Sequence, residues 1–221
     1  MPNKIITTLV TAAKSYDLTT LDVVKQELAL TNGAKDELLK RYIASASAAA
    51  AQYCNRRFQA ETVKDEIFPA QDPHPWVLSG SFEVLQLSRW PIIKLVPSSV
   101  GGGGLTENGV DLFEGVDFKV DYTTGALIRI DVAGNRTMWN ALPKVVQYQA
   151  GYDPVPPEIE DAVLRMVSRR YATQGRDPNL KQESIAGVVE RQWWIATGSD
   201  SGNMSPDITD LLDNYRVPVS I

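Results

Sequence analysis

Val145-Val146-Gln147-Tyr148-Gln149-Ala150-Gly151-Tyr152-Asp153-Pro154-Val155-Pro156-Pro157-Glu158-Ile159 is the stretch that decides the fold class. Its opening, Val145 to Tyr148, mixes β-branched and aromatic residues in a short alternating run and predicts a strand. Gly151, Asp153 and the prolines end that run. Pro156-Pro157 then sets a proline in the first turn of a helix, where its missing N–H costs nothing. Glu158, Glu160 and Asp161 suit the positive end of that helix. Ile159, Val163, Met166, Val167 and Tyr171 recur at helical spacing and predict a helix over 157–174. Arg165, Arg169 and Arg170 gather toward its other end, and Gly175 and Pro178 stop it. A strand followed directly by a long amphipathic helix is an α+β signature.

Upstream, the chain reads as helical. Residues 18–30 predict a first helix, with Thr19 and Asp22 in a capping-box spacing and Leu21, Val24 and Leu28 on one face. Asn32-Gly33 offers a left-handed stop. Residues 35–57 predict a second helix, striped by Leu38, Tyr42, Ala46, Ala49 and Tyr53 and widened by Leu39, Ile43 and Ala50. All eight residues from Ala44 to Ala51 are Ala or Ser. Most of this stripe reads as an intramolecular core face, but such small side chains also admit a neighbouring subunit. Before these helices, Lys4 leads Ile5-Ile6-Thr7-Thr8-Leu9-Val10, read as an extended arm or edge strand. Thr7, Thr8 and Thr11 dilute the apolar run and the basic flank is one lysine, which argues against a secretion signal.

Between the second and third helices the period changes. Phe82 to Leu87, Phe118 to Tyr122, Ala126 to Ile130 and Val145 to Tyr148 predict strands, and Thr123-Thr124-Gly125 predicts a hairpin turn. Pro91 and Pro97 confine their surroundings to edges or loops. Gly101 to Gly104 reads as a mobile loop tip, since no Gly-Lys-Ser/Thr and no helix follow to make a phosphate loop. Beyond Gly175 lie Val188, Val189, Trp193 and Trp194 among charges, then a Gly/Ser-rich linker from Gly198 to Ser205. A short helical pattern with Ile208, Leu211 and Leu212 closes the tail. An apolar segment behind a linker buries little alone, so it is expected to dock on its own body or on a partner.

The 221 residues carry a net charge of −5, with 43% hydrophobic and 22% charged residues. That balance fits a globular protein with a real core and disfavours tight, general DNA binding, which needs Lys and Arg against phosphates. One cysteine (Cys54) and one histidine (His74) exclude an intramolecular disulfide and the usual Cys/His zinc site. Cys54 reads as a small buried apolar residue. No cofactor is expected, and no apolar run reaches membrane-spanning length. His74 stands between prolines with no nucleophile pattern nearby, and the acids from Asp111 to Asp121 lack calcium-loop spacing. The chain therefore reads as non-enzymatic. Arg56-Arg57 and Arg169-Arg170 read as helix-end residues paired with acids rather than as phosphate ligands. A different class stays open: a monomeric β-rich module holding a glycan or small ligand on Trp76, Trp90 and Trp139.

Four segments, in order, resemble the head–tail connector (adaptor, head completion) family of long-tailed bacteriophages. They are Leu9-Val10-Thr11 with Leu18 to Leu28; Asp36 to Leu39 leading to Ala50-Ala51-Gln52-Tyr53-Cys54-Asn55-Arg56-Arg57-Phe58; Val145 to Ile159; and Leu211-Leu212-Asp213-Asn214-Tyr215-Arg216. The stretch from about Val63 to Leu142 departs from the pattern in being longer and richer in strands than compact members. The resemblance implies a small bundle of three main helices with a β-rich insertion and an extended C-terminal tail. Its divisions would be 1–62 with 153–180 as helical core, 63–152 as insertion and 181–221 as a C-terminal arm with a docking helix. It also implies a virion protein, made in the host bacterial cytoplasm, that assembles into a homo-oligomeric ring, a dodecamer. Such a ring binds the portal protein after DNA packaging, extends the DNA channel without gripping the genome, and carries a tail-side stopper or terminator. Portal contacts are then expected at Ile208, Leu211, Leu212, Tyr215, Arg216 and Val217. Subunit contacts are expected at Ala46, Ala49, Ala50, Arg169 and Arg170.

Overall fold

The computed structural model describes residues 4–68, 84–97, 102–174, 182–185, 189–192 and 204–218. Its contacts divide the chain into a unit of Met1–Ser15 with Gln59–Pro154 and a unit of Tyr16–Phe58 with Val155–Ile221. The fold class is α+β, as the sequence predicts.

The first unit is all β. Its strands are β1 (Lys4–Thr11), β2 (Glu61–Phe68), β3 (Leu85–Gln86), β4 (Ile92–Leu95), β5 (Leu105–Glu107), β6 (Val110–Leu112), β7 (Phe118–Asp121), β8 (Ala126–Arg129) and β9 (Lys144–Ala150). The main sheet runs β1-β2-β9-β5-β6, with β4 also on β9, and the small sheet runs β3-β8-β7. Every strand pairing here is antiparallel. The strand read at 145–148 is thus the central member, with β2 along one side and β5 and β4 along the other. The core gathers Val63, Ile67, Leu105, Phe118, Leu127, Trp139, Val146 and Tyr148. Each large apolar side chain so buried contributes roughly 1.5–3 kcal/mol.

The hairpin read at 118–130 is present as β7 and β8. Asp121 holds its turn by accepting from the Thr123 and Thr124 amides and the Thr124 hydroxyl. The strand read at 82–87 shrinks to β3, and Phe82 lies outside the described residues. No sequence reading found β2. Its inward row is Glu61, Val63, Asp65 and Ile67, so acids interrupt the apolar alternation that marks a strand. Both acids have partners. Glu61 pairs with Arg89. Asp65 accepts from the Ser88 amide at 2.9 Å, the Ser88 hydroxyl at 2.8 Å and the Tyr148 hydroxyl at 2.7 Å. These bonds remove the cost of burying the carboxyl groups and tie the 88–89 loop to the sheet.

Within the glycine loop, Gly103 packs against the backbone of Leu112. A Cβ on Gly103 would lie 1.6 Å from the Leu112 carbonyl oxygen, so the absence of a side chain at Gly103 permits this close packing of backbone on backbone; Gly101 lies outside the described residues.

The second unit holds α1 (Leu21–Glu27), α2 (Asp36–Tyr53), α3 (Pro157–Ala172), β10 (Gln182–Ile185), β11 (Val189–Gln192) and α4 (Pro206–Asp213). β10 and β11 form an antiparallel pair. The three predicted helices are α1, α2 and α3, the first two trimmed at both ends and α3 at its C-terminal end alone. The cap of α1 is Thr20, whose side chain accepts from the Val23 amide, and not Thr19. Thr19 is buried, with its hydroxyl donating to Glu160 on α3 at 2.9 Å. Nor does α1 end at Asn32-Gly33. It ends at Ala29, which has φ 51°, with Leu30 N–H donating to the Lys25 carbonyl and Ala29 N–H to that of Gln26. This is the Schellman arrangement with alanine where glycine is preferred.

Two segments join other units than the sequence divisions suggest. Residues 4–11 find their hydrogen-bond partner in β2 and lie in the β unit. Residues 206–213 bury Ile208 and Leu212 in the helical unit.

Candidate assembly surfaces

α2 packs on α3. Ala46 and Ala50 are buried within the chain's own unit, and Ala49 is half-buried. Ser47 earns its place among the alanines by accepting from the buried Leu18 amide at 3.0 Å. Arg169 and Arg170 are also engaged within the unit. Arg169 donates to Asp207 at 2.7 Å. Arg170 donates to the Ser45 hydroxyl at 3.0 Å and stacks 4.4 Å above the Tyr42 ring.

The C-terminal segment docks on the helical unit rather than standing apart from it. Tyr53 donates to Asp213 at 2.6 Å, and the Arg216 guanidinium lies over the Tyr53 ring at 5.2 Å. The Tyr215 hydroxyl donates to Glu158 at 3.1 Å while its ring meets Phe58 edge-on. The Val217 amide donates to the Cys54 carbonyl at 2.9 Å, and the Cys54 thiol points at the Leu212 carbonyl. Of the six residues expected at the portal, Ile208 and Leu212 are buried in this packing. Leu211, Tyr215 and Val217 are half-buried, and Arg216 is exposed. The physical reason is the amphipathic pattern itself: α4 turns its apolar side to the nearest core. Most of the linker from Gly198 to Ser205 lies outside the described residues.

Titratable groups follow this packing. Burial pushes the Cys54 thiol up to about 11. The hydrogen bond from Arg169 holds Asp207 down at about 2. In the β unit, burial and then the neighbouring Asp65 raise Tyr148.

The tryptophan reading fares differently. Trp139 is buried at 5% exposure, its Nε1 donating to the Leu127 carbonyl and its ring flanked by Arg129 and Lys144. It is a core residue, not a ligand platform. Trp90 is half-buried, and Trp76 and His74 lie outside the described residues. Among the described residues no group of three or more His, Cys, Asp or Glu could hold a metal, and no helix is long and apolar enough to cross a membrane. An open depression of about 530 Å³ at the end of α1 is lined by Asp22, Lys25, Gln26, Ala29, Leu30 and Thr31, without a converging catalytic set.

Apolar exposure concentrates elsewhere. β1 is exposed along its whole length, with Ile6 at 43%, Leu9 at 47% and Val10 at 48%. At the other end of the same sheet, Val110, Phe113 and Val116 are exposed. The sequence reading named the edge strand but saw no site in it, because one-sided exposure is invisible without the pairing order.

Fold and surfaces define a class: a two-unit α+β protein that, among the described residues, exposes apolar side chains along β1 and around β6. Residues 18–78 match the family described as phage gp6-like head-tail connector protein. The resemblance to head–tail connectors read from the sequence is thereby borne out. None of the curated proteins matches the chain. The fold is similar to a chain in the neck of an empty gene transfer agent particle computed with C6 symmetry, with a TM-score of 0.53, 15% identity and coverage of 98% of this chain and 97% of that one. It is equally similar to a chain of the native gene transfer agent virion, at 14% identity, TM-score 0.53 and coverage of 98% and 97%. A chain in the neck of the native particle computed with C12 symmetry gives 12% identity, the same TM-score and the same coverage. At such identities the likeness is one of fold.

Proposed function

We propose that this chain is a structural, non-enzymatic subunit of the head–tail connector of a tailed phage or phage-like particle. The observation that carries the reading is the connector-family match over residues 18–78. Likeness of fold along nearly the whole length of neck chains supports it. The C12 and C6 symmetries under which those necks were computed support a ring of copies, a dodecamer. In this reading the ring binds the portal vertex after DNA packaging, continues the DNA channel and offers a platform to tail-side proteins.

The charge supports a channel that DNA slides through. A basic wall would release counterions at many phosphates and act as a brake, whereas this chain carries −5. The portal contact falls to the open side of the C-terminal segment: Arg216, with Leu211, Tyr215 and Val217 partly available. Ile208 and Leu212 hold that segment in place from beneath. Of Ala46, Ala49 and Ala50, Ala49 is the one left partly open to a neighbouring subunit.

The test is removal of the gene from the phage that encodes it. The reading expects DNA-filled heads that carry portals but no tails, restored by the gene supplied in trans. Normal yields of tailed infectious particles would sink it.

A further inference from the structure

The path β1-β2-β9-β5-β6 of the main sheet ends in two different edge strands, β1 and β6, with β4 off this path on β9. An open edge presents unpaired backbone donors and acceptors, and proteins shield such edges with charges, prolines, bulges or covering segments. β1 has little of this. It is eight residues long, reads Lys-Ile-Ile-Thr-Thr-Leu-Val-Thr, and has one charge, at its start. Its one irregularity lies at the far end, between Leu9 and Thr11. It overhangs the core: Ile5 and Leu9 share a face with the buried Ile67 and Val63 of β2, yet both are exposed.

The β6 edge matches it in chemistry. Val110 and Val116 are 64% and 65% exposed, and Phe113 is 45% exposed. The charges here are acidic, Asp111 and Glu114, where the β1 end of the sheet has Lys4 and, just beyond it, Lys14. Two dissimilar, complementary edges on one molecule make a head-to-tail contact, the kind that closes into a ring. A strand paired with its own symmetry copy would instead close at two subunits.

Resting on the connector reading above, we propose that β1 of one copy adds to β6 of the next copy, with the exposed turn residues Phe113 and Val116 beside the new pairing. The sheets of neighbouring subunits then run together around the ring. The occupant of each edge is a second copy of this chain.

The test uses the full chain with paired cysteines, Ile6→Cys or Val10→Cys together with Val110→Cys, under mild oxidation. Within one chain the two edges lie four strand spacings apart, about 19 Å, beyond the ~7 Å that a disulfide spans between Cα atoms. Cys54 is buried. A bond between the new cysteines is therefore between subunits. The proposal expects a ladder of covalent oligomers from the double variants, and at most dimers from each single variant. It also expects the amides of 4–11 and 110–112 in the unmutated chain to exchange at least tenfold more slowly once assembled. Dimers from Ile6→Cys alone as efficient as the ladder would point to symmetric pairing and overturn the proposal. Assembly on portal-bearing heads with neither cross-link nor protection would overturn the proposal while leaving the connector reading intact. A chain that never associates, free or on such heads, would remove both.

Discussion

Ala29 and Gly151 show how single residues set the ends of elements. Ala29 takes a left-handed φ of 51° to stop α1, a conformation that costs an alanine roughly 1 kcal/mol relative to glycine. Ala29→Gly should therefore stabilise the chain by about 0.5–1 kcal/mol, read as a higher urea midpoint with an unchanged slope. Gly151 is the opposite case. It has φ 120°, and a Cβ there would lie 2.5 Å from the Gln59 carbonyl oxygen. Gly151→Ala should destabilise by at least about 1–3 kcal/mol, through backbone strain and forced movement; an unchanged thermal midpoint would refute this. The same residue scale explains a misreading. Thr19 and Thr20 are adjacent and chemically alike as caps, and only the position of Glu160, far away in sequence, decides that Thr19 turns inward.

At the scale of elements, α4 is held by two different forces. Ile208 and Leu212 are buried, and Asp207 meets Arg169 and Arg165 on the surface. The ion pairs are about 40–49% exposed, so their net contribution is no more than about 1 kcal/mol. The folded state lowers Asp207 to about 2, below the usual ~3.9. Its contribution is thus present above about pH 4 and lost as pH falls through 2. Asp207→Asn should lower the urea midpoint slightly at pH 7 and match the parent near pH 2. The packing beneath matters more. Cys54 is buried under Leu212, and its thiol is pushed up to about 11. At pH 8 it should react with a thiol reagent at least a hundredfold more slowly than in urea. Ile208→Ala, at a cost of roughly 2–5 kcal/mol, should accelerate that labelling. Equal rates for the two chains would mean that α4 does not cover Cys54.

Elements also differ in how far the sequence reveals them. Helices α1, α2 and α3 and the β7–β8 hairpin were legible because their apolar period and turn residues agree with their final surroundings. β2 was not, because Glu61 and Asp65 point inward and meet Arg89, Ser88 and Tyr148, which lie 23 or more positions away. The docking of the tail was half legible. The pattern of Ile208, Leu211 and Leu212 announced an apolar side, but not which body would cover it. The open sheet edges depend on strand order, which no local pattern encodes.

At the scale of the whole molecule, the two units suggest a division of labour within the connector reading. The helical unit carries most of the family match and fixes the C-terminal segment with its polar side outward. The β unit carries the exposed sheet edges. On this view the β unit is a device for joining subunits. The central claim is that copies of this chain form a ring at the portal. Its most direct measurement is electron cryo-microscopy of purified chain mixed with tail-less, portal-bearing heads. The account predicts a closed ring of density stacked on the portal, continuing its channel, into which both units fit. Vertices that stay bare at saturating protein would contradict it.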